Sequence, residues 1–436
     1  MNTTRVDDYH ALLARQDAMR LRRQLLTPGQ RSPAATPERQ ETREWASVGA
    51  DFSGGADDQQ VIRRHLPLVT PFGRLIDYLY EALFERRPYL RGLFPESMEF
   101  QRAHLELAFC YLIENLHRPD EVAAFCTRLG RDHRKLGVRP VHYEAFEAAL
   151  AEALRRSAGP GWSSELELAW LRMLRSAVTA MVAGAAQALT EPPYWNATVT
   201  EHQVLRPDLA VLRVRTSAPY PYRAGQYASL QSPLLPHTWR PYSIACAPRP
   251  DAELEFHVRR TGSGGVSDAL VAHTSPGDVL RLGPAQGAMT LDDGLARDVL
   301  IAAGGTGWAT AKALLEELAV RRPPGRRAHL FLGARTLDDL YDTRALAALE
   351  DRSPWLRVVP VIGAGPAAAE YGSVGEYGSV DEAVAGGGDW SRHLAYVSGP
   401  PAMVRATVRR LAAMKVPADQ VRHDPVTGTA ALPLDQ

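Results

Sequence analysis

The sequence predicts a multidomain α + β + α/β chain: an all-α domain, an antiparallel β-barrel and a parallel α/β sheet, in that order. Three observations carry this. Across residues 59–190, apolar residues recur at spacings of three and four with little β-branched alternation. Pro192 and Pro193 end that pattern, and residues 197–291 follow with short alternating runs divided by Gly- and Pro-rich turns. From Asp298, short apolar runs that end in glycines alternate with helical stretches, as in a parallel sheet.

Taken in order, residues 7–26 read as a short helix, with Leu12, Leu13, Met19 and Leu25 among charged residues. Residues 27–58, rich in Pro, Gly, Ser and Thr, read as a linker. Three helical stripes come next: Leu75, Ile76, Leu79 and Leu83; Leu105, Ala108, Phe109 and Leu112; and Val122, Phe125, Leu129 and Leu136. A long last helix is expected from about Glu165 to Leu189. In the β region, Leu254-Glu255-Phe256-His257-Val258 is one of the short alternating runs that suit an antiparallel barrel. In the α/β region, Val299–Ala303, His329–Gly333 and Leu394–Val397 read as buried strands, with a helix expected from Thr310. The near-repeat of Glu370–Val374 in Glu376–Val380 reads as an expanded loop, because two copies cannot form a solenoid. The expected segments are therefore 1–58, 59–190, 196–293, 297–424 and a tail at 425–436.

Composition narrows the function. The 436 residues suit about three domains at roughly 150 residues each. Lys+Arg and Asp+Glu are both 50, which argues against a general nucleic-acid binder. The three cysteines, Cys110, Cys126 and Cys246, form no C-x-x-C pair and suit a reducing compartment. With no apolar run long enough for a bilayer and no secretory core at the N-terminus, a cytoplasmic location is expected.

Two sets of motifs carry chemistry in the second half. Arg240-Pro241-Tyr242-Ser243 combines an arginine for a pyrophosphate, an aromatic for a flavin ring and a hydroxyl for its reactive edge. Tyr227, in Tyr222–Tyr227, offers a second aromatic, and Gly265-Val266-Ser267 offers backbone amides for phosphate. One such segment occurs by chance; three in order within a barrel are far more specific. Gly304-Gly305-Thr306-Gly307 closes a strand and opens a helix, which suits a pyrophosphate at the helix N-terminus. Ser398-Gly399-Pro400 ends a later strand and is placed to form one wall of a nicotinamide pocket. Arg335 follows a strand end, where it reads either as a 2′-phosphate partner or as a surface arginine.

Residues 196–424 resemble the ferredoxin reductase family, a flavin barrel followed by a nicotinamide domain. Two departures stand out. Ser398 stands where that family usually has Cys, and Ala309-Thr310 where Thr-Pro is common.

In the helical region, His133 shares an apolar face with Phe125, Leu129 and Leu136. A lone histidine there is usually a satisfied core residue, although neutral imidazole is a good iron ligand. Tyr80 borders one stripe and Gln101 heads another, with Leu105 one turn on. Together, Tyr80 followed by Pro88 and Phe94, then Gln101-Arg102, then Asp132-His133, Arg139-Pro140 and His142-Tyr143 resemble the globin half of the flavohaemoglobins. The order globin, flavin barrel, nicotinamide domain is a hallmark of that family.

The resemblance implies haem b, FAD and NADH or NADPH as cofactors. It implies His133 as the iron ligand, Phe94 and Leu105 packed at the haem, Tyr80 and Gln101 as hydrogen-bond donors to bound oxygen, and Tyr143 in a proximal relay. The family completes that relay with a glutamate, at a position that falls here on Ala185. The implied activity passes electrons from NAD(P)H through FAD to haem and oxidises nitric oxide to nitrate. A divergent haem oxidase or biosynthetic oxygenase, or an oxygen or redox sensor, are the alternatives. The expected partners are oxygen, nitric oxide and NAD(P)H, with no nucleic acid, membrane or obligate protein partner.

Overall fold

The computed structural model describes residues 55–363 and 376–424. The expected helix at 7–26, most of the linker and the tail lie outside the described residues.

Among the described residues, six α-helices come first: α1 Gly55–Val69, α2 Phe72–Arg86, α3 Glu99–Asn115, α4 Pro119–His133, α5 Pro140–Ala158 and α6 Ser164–Gln187. Helix α1 begins three residues before the end drawn for the linker, with Asp57 and Asp58 in its first turn, where acids meet the positive end of the helix dipole. Asp58 also pairs with Arg172 of α6, at 2.5 Å. The stripe read on α2 is the buried one: Leu75, Ile76, Leu79 and Leu83 are all at most 2% exposed. Helix α6 starts at an N-cap serine, Ser163, whose side chain accepts the Leu166 N–H at 3.2 Å. Trp170 on α6 is fully buried and meets Phe72 and Phe109 edge-to-face. Helices α4 and α6 touch backbone to backbone: a Cβ at Gly130 would lie 1.9 Å from Met181 O, and one at Gly184 2.1 Å from Thr127 O. That contact pins the end of α4 that carries His133.

The chain then enters an antiparallel sheet, β1 Trp195–Arg206, β2 Leu209–Thr216, β3 Tyr227–Gln231, β4 Arg240–Ser243, β5 Glu253–Arg259 and β6 Val279–Leu282, with a short helix α7 Val266–Ala272 after β5. The strand order is β4-β3-β6-β1-β2-β5. Ile244, just past one edge strand, pairs with Phe256 on the other, and Ala245 N–H donates to Glu255 O at 2.7 Å. The two edges thus meet, as a barrel requires. Its interior is filled by Val199, Leu212, Leu230, Ile244 and Phe256.

The last layer is a parallel sheet ordered β10-β9-β8-β7-β11-β12. Its strands are β7 Asp298–Gly304, β8 Ala328–Ala334, β9 Leu356–Ile362, β10 Glu376–Tyr377, β11 His393–Ser398 and β12 Val421–Arg422. Helices α8 Trp308–Arg321, α9 Thr343–Asp351, α10 Val380–Gly386 and α11 Pro401–Ala413 connect them. Alternate residues of β7 feed opposite cores: Val299, Ile301 and Ala303 on one face, Leu300 and Ala302 on the other. Two expectations need correction. Helix α8 begins at Trp308, two residues before Thr310, because the 3-10 turn Gly305–Gly307 runs directly into it. Of the expected loop at 370–380, residues 370–375 lie outside the described residues, whereas Glu376–Tyr377 pair in parallel with Val361 and Ile362 and Val380 opens α10 through the Ser379/Glu382 capping box.

Candidate functional site

In the helical domain, Tyr80, Phe94, Leu105 and Tyr143 belong to one hydrophobic cluster, with Leu129 and Phe125 of the His133 helix. Tyr80 is 5% exposed, stacks on Phe84 at 5.8 Å and meets Phe94 edge-on at 5.6 Å. Burial pushes its hydroxyl far above the usual phenol range, and that of Tyr143 up to about 12, so both are neutral donors. The Gln101 side-chain oxygen is buried without a hydrogen-bond partner. A buried orphan of this kind costs free energy unless a ligand satisfies it.

His133 is only half-buried by surface, and desolvation lowers its pKa, partly offset by Asp132 and by its own backbone bond. Its Nδ1 lies 2.9 Å from Leu129 O, which assigns the proton to Nδ1 and leaves Nε2 as the lone-pair nitrogen. Metal-bound histidines are usually oriented this way. Partly accessible apolar side chains, one unpartnered amide oxygen and an oriented imidazole fit a haem. Ala185 is partly buried on α6, so that position supplies no carboxylate; the acid acting on His133 is its neighbour Asp132.

Asp132 also ties this helix to the barrel. Its Oδ1 accepts from Lys135 Nζ at 2.5 Å and from Gln286 Nε2 at 2.6 Å. The Lys135 ammonium lies 5.2 Å from the Trp239 ring. Gln286 pairs through its backbone with Tyr227, and the Tyr227 hydroxyl donates to Gln286 Oε1 at 3.3 Å. A continuous set of contacts therefore joins the residue before His133 to the aromatic expected at the flavin. Asp424 lies beside Tyr227, and burial raises its pKa to about 6. On another part of the same boundary, Arg240 stands 4.1 Å over the ring of Phe100, the residue before Gln101. Sequence reading quoted Asp132 only as the neighbour of His133, without a role, and missed Lys135, Gln286 and Phe100. Only the Asp132/Lys135 spacing of three hinted at a pair.

Within the barrel, β4 carries Arg240, Pro241, Tyr242 and Ser243 and pairs with β3, placing Tyr242 opposite Ala228 and Ser243 opposite Tyr227. Burial lowers the Arg240 pKa and raises that of Tyr242 well out of the titrating range. Helix α7 opens at Val266, so the amides of its first turn lack intrahelical acceptors. The Gly264 N–H is already taken by Asp268 Oδ2, at 2.7 Å.

In the parallel sheet, Gly304, Gly305, Thr306 and Gly307 lead from β7 into α8, beside Ser398, Gly399 and Pro400 at the end of β11. Here β7 continues to β8 on one side and meets β11 on the other, the switch point where open α/β sheets bind ligands. The two turns touch through backbone: a Cβ at Gly307 would lie 2.2 Å from Ser398 O, so only glycine fits. A cleft lined by Gly305, Trp308, Gly333, Tyr341 and Asp342 opens beside them. Arg335 is 81% exposed and its Nε lies 3.3 Å from Asp339 Oδ2. A buried cluster bolts this sheet to the barrel: Glu255 meets Lys312, Arg213 at 3.1 Å and His257 at 3.0 Å, and His257 Nδ1 lies 2.8 Å from the Tyr341 hydroxyl.

Comparison with known proteins agrees with this architecture. Family models match at residues 78–181 (globin), 196–290 (oxidoreductase FAD-binding domain) and 300–409 (oxidoreductase NAD-binding domain). The ferredoxin–NAD(P)+ reductase CarAd of Metapseudomonas resinovorans is 31% identical over 229 residues, covering 52% of this chain and 68% of that protein. The reductase component DmpP of phenol 2-monooxygenase from Pseudomonas sp. (strain CF600) is 30% identical over 209 residues, 48% of this chain and 58% of that one. The chain thus spans about three-fifths of the length of the first curated relatives it matches. A crystal structure of flavohemoglobin from Malassezia yamatoensis, with bound FAD and heme, superposes with a TM-score of 0.70 at 16% identity, covering 84% of this chain and 98% of that one.

The chain belongs to the ferredoxin–NAD(P)+ reductase family of FAD- and NAD-binding oxidoreductases. With a globin domain in front, it has the flavohaemoglobin architecture, with domains for haem, FAD and a nicotinamide nucleotide.

Proposed function

We propose that this protein draws electrons from NAD(P)H through FAD to haem and uses them to oxidise nitric oxide to nitrate. The balance is two nitric oxide and two oxygen molecules with one NAD(P)H, giving two nitrates, NAD(P)+ and a proton. The observation that carries the reading is Tyr80, a neutral hydroxyl 5% exposed within the apolar cluster that holds Phe94 and Leu105, in the same domain as the Gln101 amide, whose N–H groups can donate. Two neutral donors in an apolar pocket suit a diatomic ligand that gains negative charge. When bound, the haem supplies the iron at which oxygen and nitric oxide meet.

The chain's own residues do the rest. His133 presents Nε2 to the iron, and Leu129 O fixes its tautomer. Phe94 and Leu105 exclude water. Arg240 draws in the flavin pyrophosphate, Tyr242 and Tyr227 frame the ring, and Ser243 faces its reactive edge. The amides of Gly265, Val266 and Ser267 add to the phosphate cradle. The glycines at 304, 305 and 307, with Thr306, let the dinucleotide approach the backbone, and Ser398, Gly399 and Pro400 wall the nicotinamide.

The test supplies purified holoprotein with NADH or NADPH, oxygen and nitric oxide, and measures nitrate against nucleotide consumed. Two nitrates per nucleotide are expected. Nucleotide oxidation that nitric oxide does not change would replace this reading with that of a haem oxidase.

A further inference from the structure

Three hydroxyls link the two reductase turns. Ser398 Oγ donates to Thr310 Oγ1 at 3.2 Å, and Thr310 Oγ1 donates to Ser243 Oγ at 2.9 Å. Each comes from a different element: the end of β11, the first turn of α8 and the end of β4. Thr310 is 1% exposed, so its hydroxyl depends on these two partners. Ser398, and Thr310 of the Ala309-Thr310 pair, also lie at the two departures from the reductase pattern noted above. The departures meet in one hydrogen-bond chain.

We propose that Thr310 is a positioning residue that lets Ser243 follow the redox state of the flavin. This rests on the reading that Ser243 faces the flavin's reactive edge. A hydroxyl donates one proton and accepts at up to two lone pairs. In the observed direction Ser243 accepts from Thr310, and its own proton is free to donate outward. An oxidised flavin offers an acceptor nitrogen at that edge; a reduced one carries a hydrogen there and donates. Ser243 must then accept, and its proton needs another acceptor. Thr310 Oγ1 is that acceptor if the chain reverses, Ser243 donating to Thr310 and Thr310 to Ser398. Such chains strengthen each bond by polarisation in either direction.

The consequence has a definite sign. Without the Thr310 hydroxyl, the oxidised state loses only a partner for a Ser243 lone pair. The reduced state leaves the Ser243 proton buried and unpaired, the costlier defect. Thr310→Val should therefore weaken reduced FAD relative to oxidised FAD.

The experiment measures the flavin midpoint potential and the oxidised-FAD dissociation constant in the full chain for Thr310→Val, Thr310→Ser, Ser398→Ala and Ser243→Ala. In Thr310→Val, the preference for oxidised over reduced FAD should rise by about tenfold, with oxidised binding within about threefold of native. Thr310→Ser should restore the native ratio, and Ser398→Ala should move it in the same direction by less. A shift in Ser243→Ala with none in Thr310→Val or Ser398→Ala overturns the proposal and leaves the flavin site standing. A native ratio in Ser243→Ala overturns the placement of Ser243 and the proposal with it. If Thr310→Val fails to hold FAD, Ser398→Ala decides alone: a native ratio there overturns the proposal.

Discussion

Replacing Asp132 with Ala tests how the helical domain is held to the barrel. The Lys135 side chain is 4% exposed and Asp132 27%, so the pair is largely shielded from water. Removing the carboxylate strands a buried ammonium, at about 3 kcal/mol for a well-buried pair. It also takes away a charged acceptor from Gln286 Nε2, worth about 1.5 kcal/mol or more. Partial exposure of Asp132 and the Trp239 ring facing Lys135 reduce the sum, and we expect about 3 kcal/mol in all. Lys135→Met removes the charge that needs pairing and leaves Asp132 with Gln286, at about 1 kcal/mol. The double variant should therefore cost about 1–2 kcal/mol, well below the sum of the singles. Calorimetry is the assay, because a chain of several domains does not unfold in two states. In Asp132→Ala the globin and reductase transitions should separate; in the double variant they should rejoin. Additive costs, or transitions unmoved in Asp132→Ala, would refute the argument that Lys135 depends on Asp132.

Gly130→Ala should destabilise the globin domain by about 1–3 kcal/mol despite alanine's better helix propensity, because its methyl would meet Met181 O; chemical denaturation checks this, and a stabilised variant would contradict the close crossing. His133→Ala should lose haem absorbance while NAD(P)H still reduces the flavin, since separate domains do each job. Arg240→Ala should raise the FAD dissociation constant about tenfold or more through loss of a charge-assisted contact, read by flavin fluorescence. Asp424 binds its proton more tightly folded, with a pKa of about 6, than unfolded. Its contribution to stability is therefore greatest below the unfolded carboxyl range and is lost as pH rises through about 6. Asp424→Asn should remove that loss, so its stability relative to the native chain should grow between pH 5 and about 7 in thermal melts; a constant difference across that range would show that Asp424 does not titrate there.

Local pattern made most elements legible. The stripe on α2, the strand around Leu254–Val258 and the run before Gly304 each carry a periodicity set by their own backbone geometry, and each element forms, although Glu255 and His257 are buried in the strand as well as their apolar neighbours. The glycines at 304, 305 and 307 were readable because few other residues allow such an approach. What local pattern could not supply was contact between elements far apart in the chain. Asp132 and Gln286 are 154 residues apart, and Ser398 and Ser243 each reach Thr310 from another strand. A side-chain hydrogen bond leaves no periodic trace, since its partners are chosen by packing and not by spacing. By itself the sequence determined the order of the three folds, their strands and helices, and the residue types available for haem, flavin and nicotinamide. Tertiary structure alone decided which hydroxyl donates to which, which acid stands beside His133, and how the barrel grips the helix that carries it. Those depend on distances of a few ångströms between elements, and only the packed core sets them.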